Sequence, residues 1–183
     1  MIAARMWARG GLGALLAVLA HTSAPGATSA QTALEIAVKA TDLYKFAVFV
    51  EWPASALAGP AEPAVLCVVG DDPFGPVLDQ AVRGQKIGDR PIVVMRLDRV
   101  ERGAPCAILF AAPSRRQPPA EALDRVRGQP VLTVTDEAAD PSARGMIDFV
   151  LRDGRVRFRI DPRAAERSGL TISSKLLSLA VKP

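Results

Sequence analysis

Histidine is almost missing from this chain: one among 183 residues, at position 21. His21 falls in a segment read below as removable, so the mature chain would hold none. Mechanisms that need imidazole are then excluded, among them the Ser-His-Asp triad, the His general base and the His-ligated metal. Cysteine is scarce as well. Cys67 and Cys106 cannot build a four-thiolate zinc site, and their spacing is not the C-x-x-C of a redox pair. Long apolar runs are short here. The most apolar stretch, Gly11 to Ala20, is about half the ~20 residues that a membrane-spanning helix requires. These absences weigh against an enzyme, and no catalytic residue, metal or cofactor is expected.

What is present fits one ordinary globular domain. Apolar residues make up 49% of the chain and charged residues 23%, enough to bury a core and too apolar for a disordered chain. Residues 1–30 read as a secretory signal. Arg5 and Arg9 precede the short apolar stretch, and small residues through Ala30 offer a cleavage point before Gln31. The mature domain is then 31–183. The formal net charge is +4, of which Arg5 and Arg9 carry two, so cleavage leaves 21 basic against 19 acidic residues. That balance does not call for nucleic acid.

Residues 33–50 carry apolar residues at helical spacing (Ile36, Ala40, Leu43, Ala47, Val50), with Leu34, Phe46 and Phe49 widening the stripe. Trp52-Pro53 ends the predicted helix. Continuous apolar runs follow at Val65–Val69, Ile92–Met95, Ala107–Phe110 and Val131–Val134, the pattern of strands covered on both faces. Helices are expected between them at Phe74–Val82 and Pro119–Val126. The rhythm predicts an α/β fold: a single domain with a mostly parallel sheet flanked by helices. Cys67 and Cys106 then fall on neighbouring buried strands. In an oxidising compartment they would pair; otherwise they are two buried thiols.

The C-terminal third changes character. Ile147, Phe149 and Leu151 alternate with Asp148, Val150 and Arg152, and after Asp153-Gly154 Val156, Phe158 and Ile160 alternate with Arg155, Arg157 and Arg159. Asp-Gly predicts a two-residue turn in an antiparallel β-hairpin. That register sets Leu151 opposite Val156, Phe149 opposite Phe158 and Ile147 opposite Ile160, and it sets Asp148 opposite Arg159. Asp161-Pro162 and Ser173 read as starts of two short helices.

The hairpin's polar face is the most informative candidate site. Arg155, Arg157 and Arg159 form a row on one strand, with Arg152 beside it and Asp148 as the internal counter-charge. Such a row reads either as a surface for an anion or an acidic partner, or as a solvated face. Trp52 reads either as core or as a contact anchor. Asp71 and Asp72, in a loop at a strand's carboxyl end, read as a helix cap before Pro73 rather than as a catalytic pair. Ligands of open α/β sheets bind at such ends. Ser173 to Lys175 lacks the Ser-x-x-Lys spacing of a nucleophile and reads as a cap.

Several motifs occur together in order: Tyr44-x-Phe46-Ala47-x-Phe49-Val50-Glu51-Trp52-Pro53, Cys67-Val68-Val69-Gly70-Asp71-Asp72-Pro73-Phe74-Gly75, Gly145-Met146-Ile147-x-Phe149-Val150 and Gly169-Leu170-x-Ile172-Ser173-Ser174-Lys175-Leu176-Leu177. The chain resembles the YfiR family of bacterial periplasmic proteins from about residue 35 to 183. The resemblance implies a non-enzymatic regulator in the periplasm that represses a membrane-anchored diguanylate cyclase through its periplasmic sensor region. It also implies an outer-membrane lipoprotein as a possible sequestering partner, a homodimer, a disulfide between Cys67 and Cys106, and an effect on cyclic di-GMP signalling and biofilm. Neither nucleic acid nor membrane insertion belongs to this picture. The second cysteine pair that some members carry near the hairpin is missing here. The rival expectation is a module that binds a small anionic metabolite with the sheet-end crevice and the arginine face.

Overall fold

The computed structural model describes residues 26–54, 56, 62–138 and 140–182. Helix α1 (Gly26–Lys45) is followed by a 3-10 turn (Phe46–Phe49) and strand β1 (Val50–Glu51). Then come β2 (Ala64–Val69), α2 (Pro76–Val82), β3 (Lys86–Ile87), β4 (Arg90–Leu97), β5 (Ile108–Ala111), α3 (Pro119–Arg125) and β6 (Leu132–Asp136). A second 3-10 turn (Pro141–Ala143) leads into β7 (Ile147–Arg152), β8 (Arg155–Ile160), α4 (Pro162–Arg167), β9 (Thr171–Ile172) and α5 (Ser174–Leu179). Of the predicted export segment, residues 1–25, His21 included, lie outside the described residues. The expected cleavage point at Ala30 falls within α1. Among the described residues no helix is long and apolar enough to cross a membrane.

Seven strands form one sheet in the order β3-β4-β2-β5-β6-β7-β8. The central five run parallel, while β3 and β8 close the two edges antiparallel. Parallel strands covered on both faces explain the continuous apolar runs. One face carries the larger core: Leu66, Val68, Ile108, Phe110, Ile147 and Phe149 meet Ala40 and Leu43 of α1, Leu78 of α2 and Leu176 of α5. The alternate residues Cys67, Val69, Leu109 and Ala111 face α3 through Ala122, Leu123 and Val126. Cys67 and Cys106 lie in this second core, joined as a disulfide with Cα atoms 5.6 Å apart.

The first helix differs from its expected range. It starts earlier than residue 33 and gives way after Lys45 to the 3-10 turn, and Val50–Glu51 pairs with Thr171–Ile172. Packing explains the early end. The Phe46 ring lies 5.0 Å from that of Phe158, edge to face, and 5.5 Å from that of Phe149. Aromatic and β-branched residues hold a helix weakly, so tertiary contacts decide. Leu34 is 59% exposed and does not widen the buried stripe.

The helix expected from Phe74 begins at Pro76, with Gly75 as its N-cap. Phe74 is buried instead, 4.8 Å edge to face from Phe110. The hairpin register is the predicted one at every pair from Arg152 with Arg155 to Ile147 with Ile160. Asp161 caps α4 by accepting from the Ala164 amide at 3.0 Å, and Ser173 caps α5 by accepting from the Lys175 amide at 3.2 Å.

Candidate functional site: a basic hairpin at the sheet edge

The hairpin turns through Asp153 (φ +51°) and Gly154 (φ +66°). Two consecutive positive φ values define the type I′ turn whose twist matches the strands, and Asp-Gly is a preferred pair for it. Because side chains alternate along a strand, the turn sends Val156, Phe158 and Ile160 toward Phe46 and α1, and the arginines to the other face. Arg155 and Arg157 are exposed, and neither has a side-chain partner among the described residues. Arg152 is exposed too and donates only to the adjacent Leu151 carbonyl, at 3.3 Å.

Arg159 behaves differently from the rest of the row. Its Nη2 donates to Asp148 Oδ2 at 2.6 Å. The Asp148 side chain is fully buried. Its other oxygen accepts from Thr135 Oγ1 at 2.7 Å and from the Ala138 amide at 3.2 Å. Arg144 Nε stands 3.7 Å from Oδ2. Arg159 therefore ties β8 to β7, Thr135 ties the same carboxylate to β6, and the free part of the row is Arg152, Arg155 and Arg157. The Asp148–Arg159 pair was visible in the register. Arg144 and Thr135 were not, because one comes from the approach to β7 and the other from the neighbouring strand.

Trp52 lies at the end of β1, half-buried against the larger core, with its indole N–H buried and without an acceptor. It packs on the α1 side of the sheet, whereas the arginine row projects from the α3 side. The fold does not bring Trp52 and the row into one site. Exposed apolar side chains occur instead on Val48 of the 3-10 turn and on Leu177 and Leu179 of α5, two elements in contact. Sequence reasoning missed these, since single exposed apolar residues look like core residues in a sequence.

The loop after β2 is structural. Asp72 Oδ1 accepts from the Phe74 amide at 2.8 Å, and Oδ2 accepts from Arg96 Nε at 2.7 Å. Arg96 also binds the Gly75 carbonyl and both carboxylate oxygens of Asp79. The Arg96 guanidinium holds the Asp79 carboxyl below its usual range, and the two carboxylates raise Arg96 in turn. Asp72 thus shapes the entry to α2 without being its cap. The sheet's switch point lies between β2 and β5, where a crevice is expected. Here the backbones close it: a Cβ on Gly70 would lie 2.4 Å from the Ala112 carbonyl oxygen, and Asp71 donates to the Pro113 carbonyl.

The molecule is thus a mixed α/β domain with a buried disulfide and a basic hairpin at one sheet edge. Of the residues offered for acid–base or nucleophilic chemistry, Asp72 is held in an ion pair and a loop hydrogen bond and Ser173 caps α5. A family model described as YfiR/HmsC-like matches residues 36–181, most of the chain, and the chain belongs to that family. The family is regulatory rather than catalytic, and membership suggests a periplasmic regulator in the diguanylate cyclase pathway. No curated protein matches the chain.

Proposed function

We propose that this chain is an exported repressor. It binds the periplasmic sensor region of a membrane-anchored diguanylate cyclase, lowers cyclic di-GMP output and so restrains biofilm formation. The observation that carries this reading is the family match across residues 36–181. The exposed guanidiniums of Arg155 and Arg157, lacking counter-ions among the described residues, support an acidic docking surface on the partner. The exposed Val48, Leu177 and Leu179 offer a second, apolar contact on the other side of the sheet, and Trp52 is a separate candidate anchor. Two such patches suit a protein with more than one partner: the cyclase, an outer-membrane lipoprotein that sequesters the repressor, or a second copy of the chain.

Repression requires differential affinity. A protein that binds two conformations of the sensor equally shifts nothing, so the repressor must prefer the inactive one. Export through residues 1–30 places it in the right compartment, and the disulfide suits an oxidising one. The test is co-purification from envelope membranes. The expected result is recovery of a diguanylate cyclase with the tagged chain, and a rise of cyclic di-GMP when the chain is deleted. No cyclase above background together with an unchanged nucleotide level would refute the reading.

A second reading, a module for a small anionic ligand, is favoured by one observation. The open space in the fold is lined by arginine, though not at the sheet's closed carboxyl end.

A further inference from the structure

The parallel strands' amino ends carry the cavities. One, of about 320 Å³, lies between the start of β7 and the turn into α4 and is lined by Arg144, Arg159 and Arg163 together with Met146 and Ile160. A larger one of about 660 Å³ adjoins it across Arg144, Met146 and Asp161. It extends between α3 and α4 over Leu123 and Val126, with Arg127 and Arg167 also in its wall. Five guanidiniums therefore border this double cleft.

Their counter-ions do not suffice. Arg127 is taken by Asp124. Arg167 reaches Asp161 only at 3.9 Å, and that carboxylate already caps α4. Arg144 and Arg159 both turn to the single Oδ2 of Asp148, at 3.7 and 2.6 Å. Arg144 adds a long contact to the Ala138 carbonyl at 3.4 Å. The Nε of each of these two arginines is buried without an acceptor. Arg163 is exposed, with no partner among the described residues. One buried carboxylate cannot neutralise two half-buried guanidiniums, and an uncompensated charge away from water is costly. An entering oxyanion would supply the missing counter-charge, in the planar, multi-donor geometry that guanidinium groups favour. The floor beside it is apolar, since Leu123, Val126 and Met146 are all buried.

We infer that this cleft binds a small organic anion. Its carboxylate or phosphate sits among Arg144, Arg159 and Arg163, and its apolar body lies on Met146 toward Leu123 and Val126. The cleft shares no residue with the patches assigned to protein partners; the inference rests on the small-anion reading, and its test does not depend on the repressor reading.

Isothermal titration of the purified, oxidised chain decides it, with phenyl phosphate, benzoate and inorganic phosphate as probes. The expected result is saturable binding of at least one aromatic anion, about fivefold or more tighter than inorganic phosphate, a gap of about 1 kcal/mol. The tighter of phenyl phosphate and benzoate identifies the head group. Arg163→Gln removes a side chain that holds nothing in place, and should weaken binding by about fivefold with an unchanged melting temperature. Arg144→Gln should weaken it by about tenfold or more. No saturable binding of either aromatic anion would overturn the inference. So would affinity no better than that of inorganic phosphate, or affinity unchanged in both variants.

Discussion

Arg159 and Asp148 face each other across the hairpin at 2.6 Å, and the carboxylate of that pair is fully buried. The contact ties edge strand β8 to β7. Through Thr135, which donates to the same carboxylate, it also ties the hairpin to β6. It divides the arginine row by role, with Arg159 structural and Arg155 and Arg157 free to meet a partner.

Asp148→Asn keeps the shape and removes the charge, leaving Arg159 and Arg144 half-buried without a counter-ion. We expect a loss of roughly 2 to 3 kcal/mol, below the usual cost of breaking a buried pair because Arg159 keeps some contact with solvent. Urea unfolding measures it. A loss no larger than that of Arg157→Gln would show that the pair does not anchor the hairpin.

The disulfide closes a segment with a sequence separation of 39. On the chain-entropy account that constraint stabilises by about 4 kcal/mol. The double variant Cys67→Ala, Cys106→Ala should unfold at a correspondingly lower urea concentration than the oxidised chain. Coincident midpoints would mean that the linkage contributes little beyond the packing of the second core.

Burial raises the carboxyl of Asp42 above its ordinary value, and the nearby Lys45 opposes this only in part. The folded state then retains a proton that the unfolded chain gives up near pH ~4, so stability falls as pH rises from there through the folded value. Asp42→Asn removes that penalty. Its melting temperature should exceed the wild type's at about pH 7 and converge with it at about pH 3. A wild type that is the more stable of the two at neutral pH would reverse the sign and refute the argument.

The proposal that residues 1–30 are a cleaved export signal predicts that chain recovered from the periplasm begins at Gln31. N-terminal sequencing reads this directly, and an intact Met1 would contradict it.

Much of this fold is legible in the residues. The hairpin is the clearest case, because period-two alternation and Asp153-Gly154 together leave one register that pairs Ile147, Phe149 and Leu151 with apolar partners. The end of α1 is not legible. Phe46 and Phe49 continue the helical spacing, and the packing of Phe46 against Phe149 and Phe158, which a sequence does not display, accompanies the change to a 3-10 turn. Strands β1 and β9 escape notice because two residues carry no period. For the site, the arginines' common strand face follows from alternation alone. Arg144 joins them only through tertiary structure, and so does the cleft at the sheet's amino ends. The crevice expected at the opposite end is closed by a backbone approach at Gly70, which a sequence does not display.

The central claim is that this domain acts by docking its free arginines against the cyclase's sensor region. The most direct measurement is the affinity of the purified chain for that periplasmic region, compared with the double variant Arg155→Glu, Arg157→Glu. The account predicts saturable binding by the wild type, and a loss of about tenfold or more in the variant with its melting temperature unchanged. Equal affinity of the two proteins would contradict it.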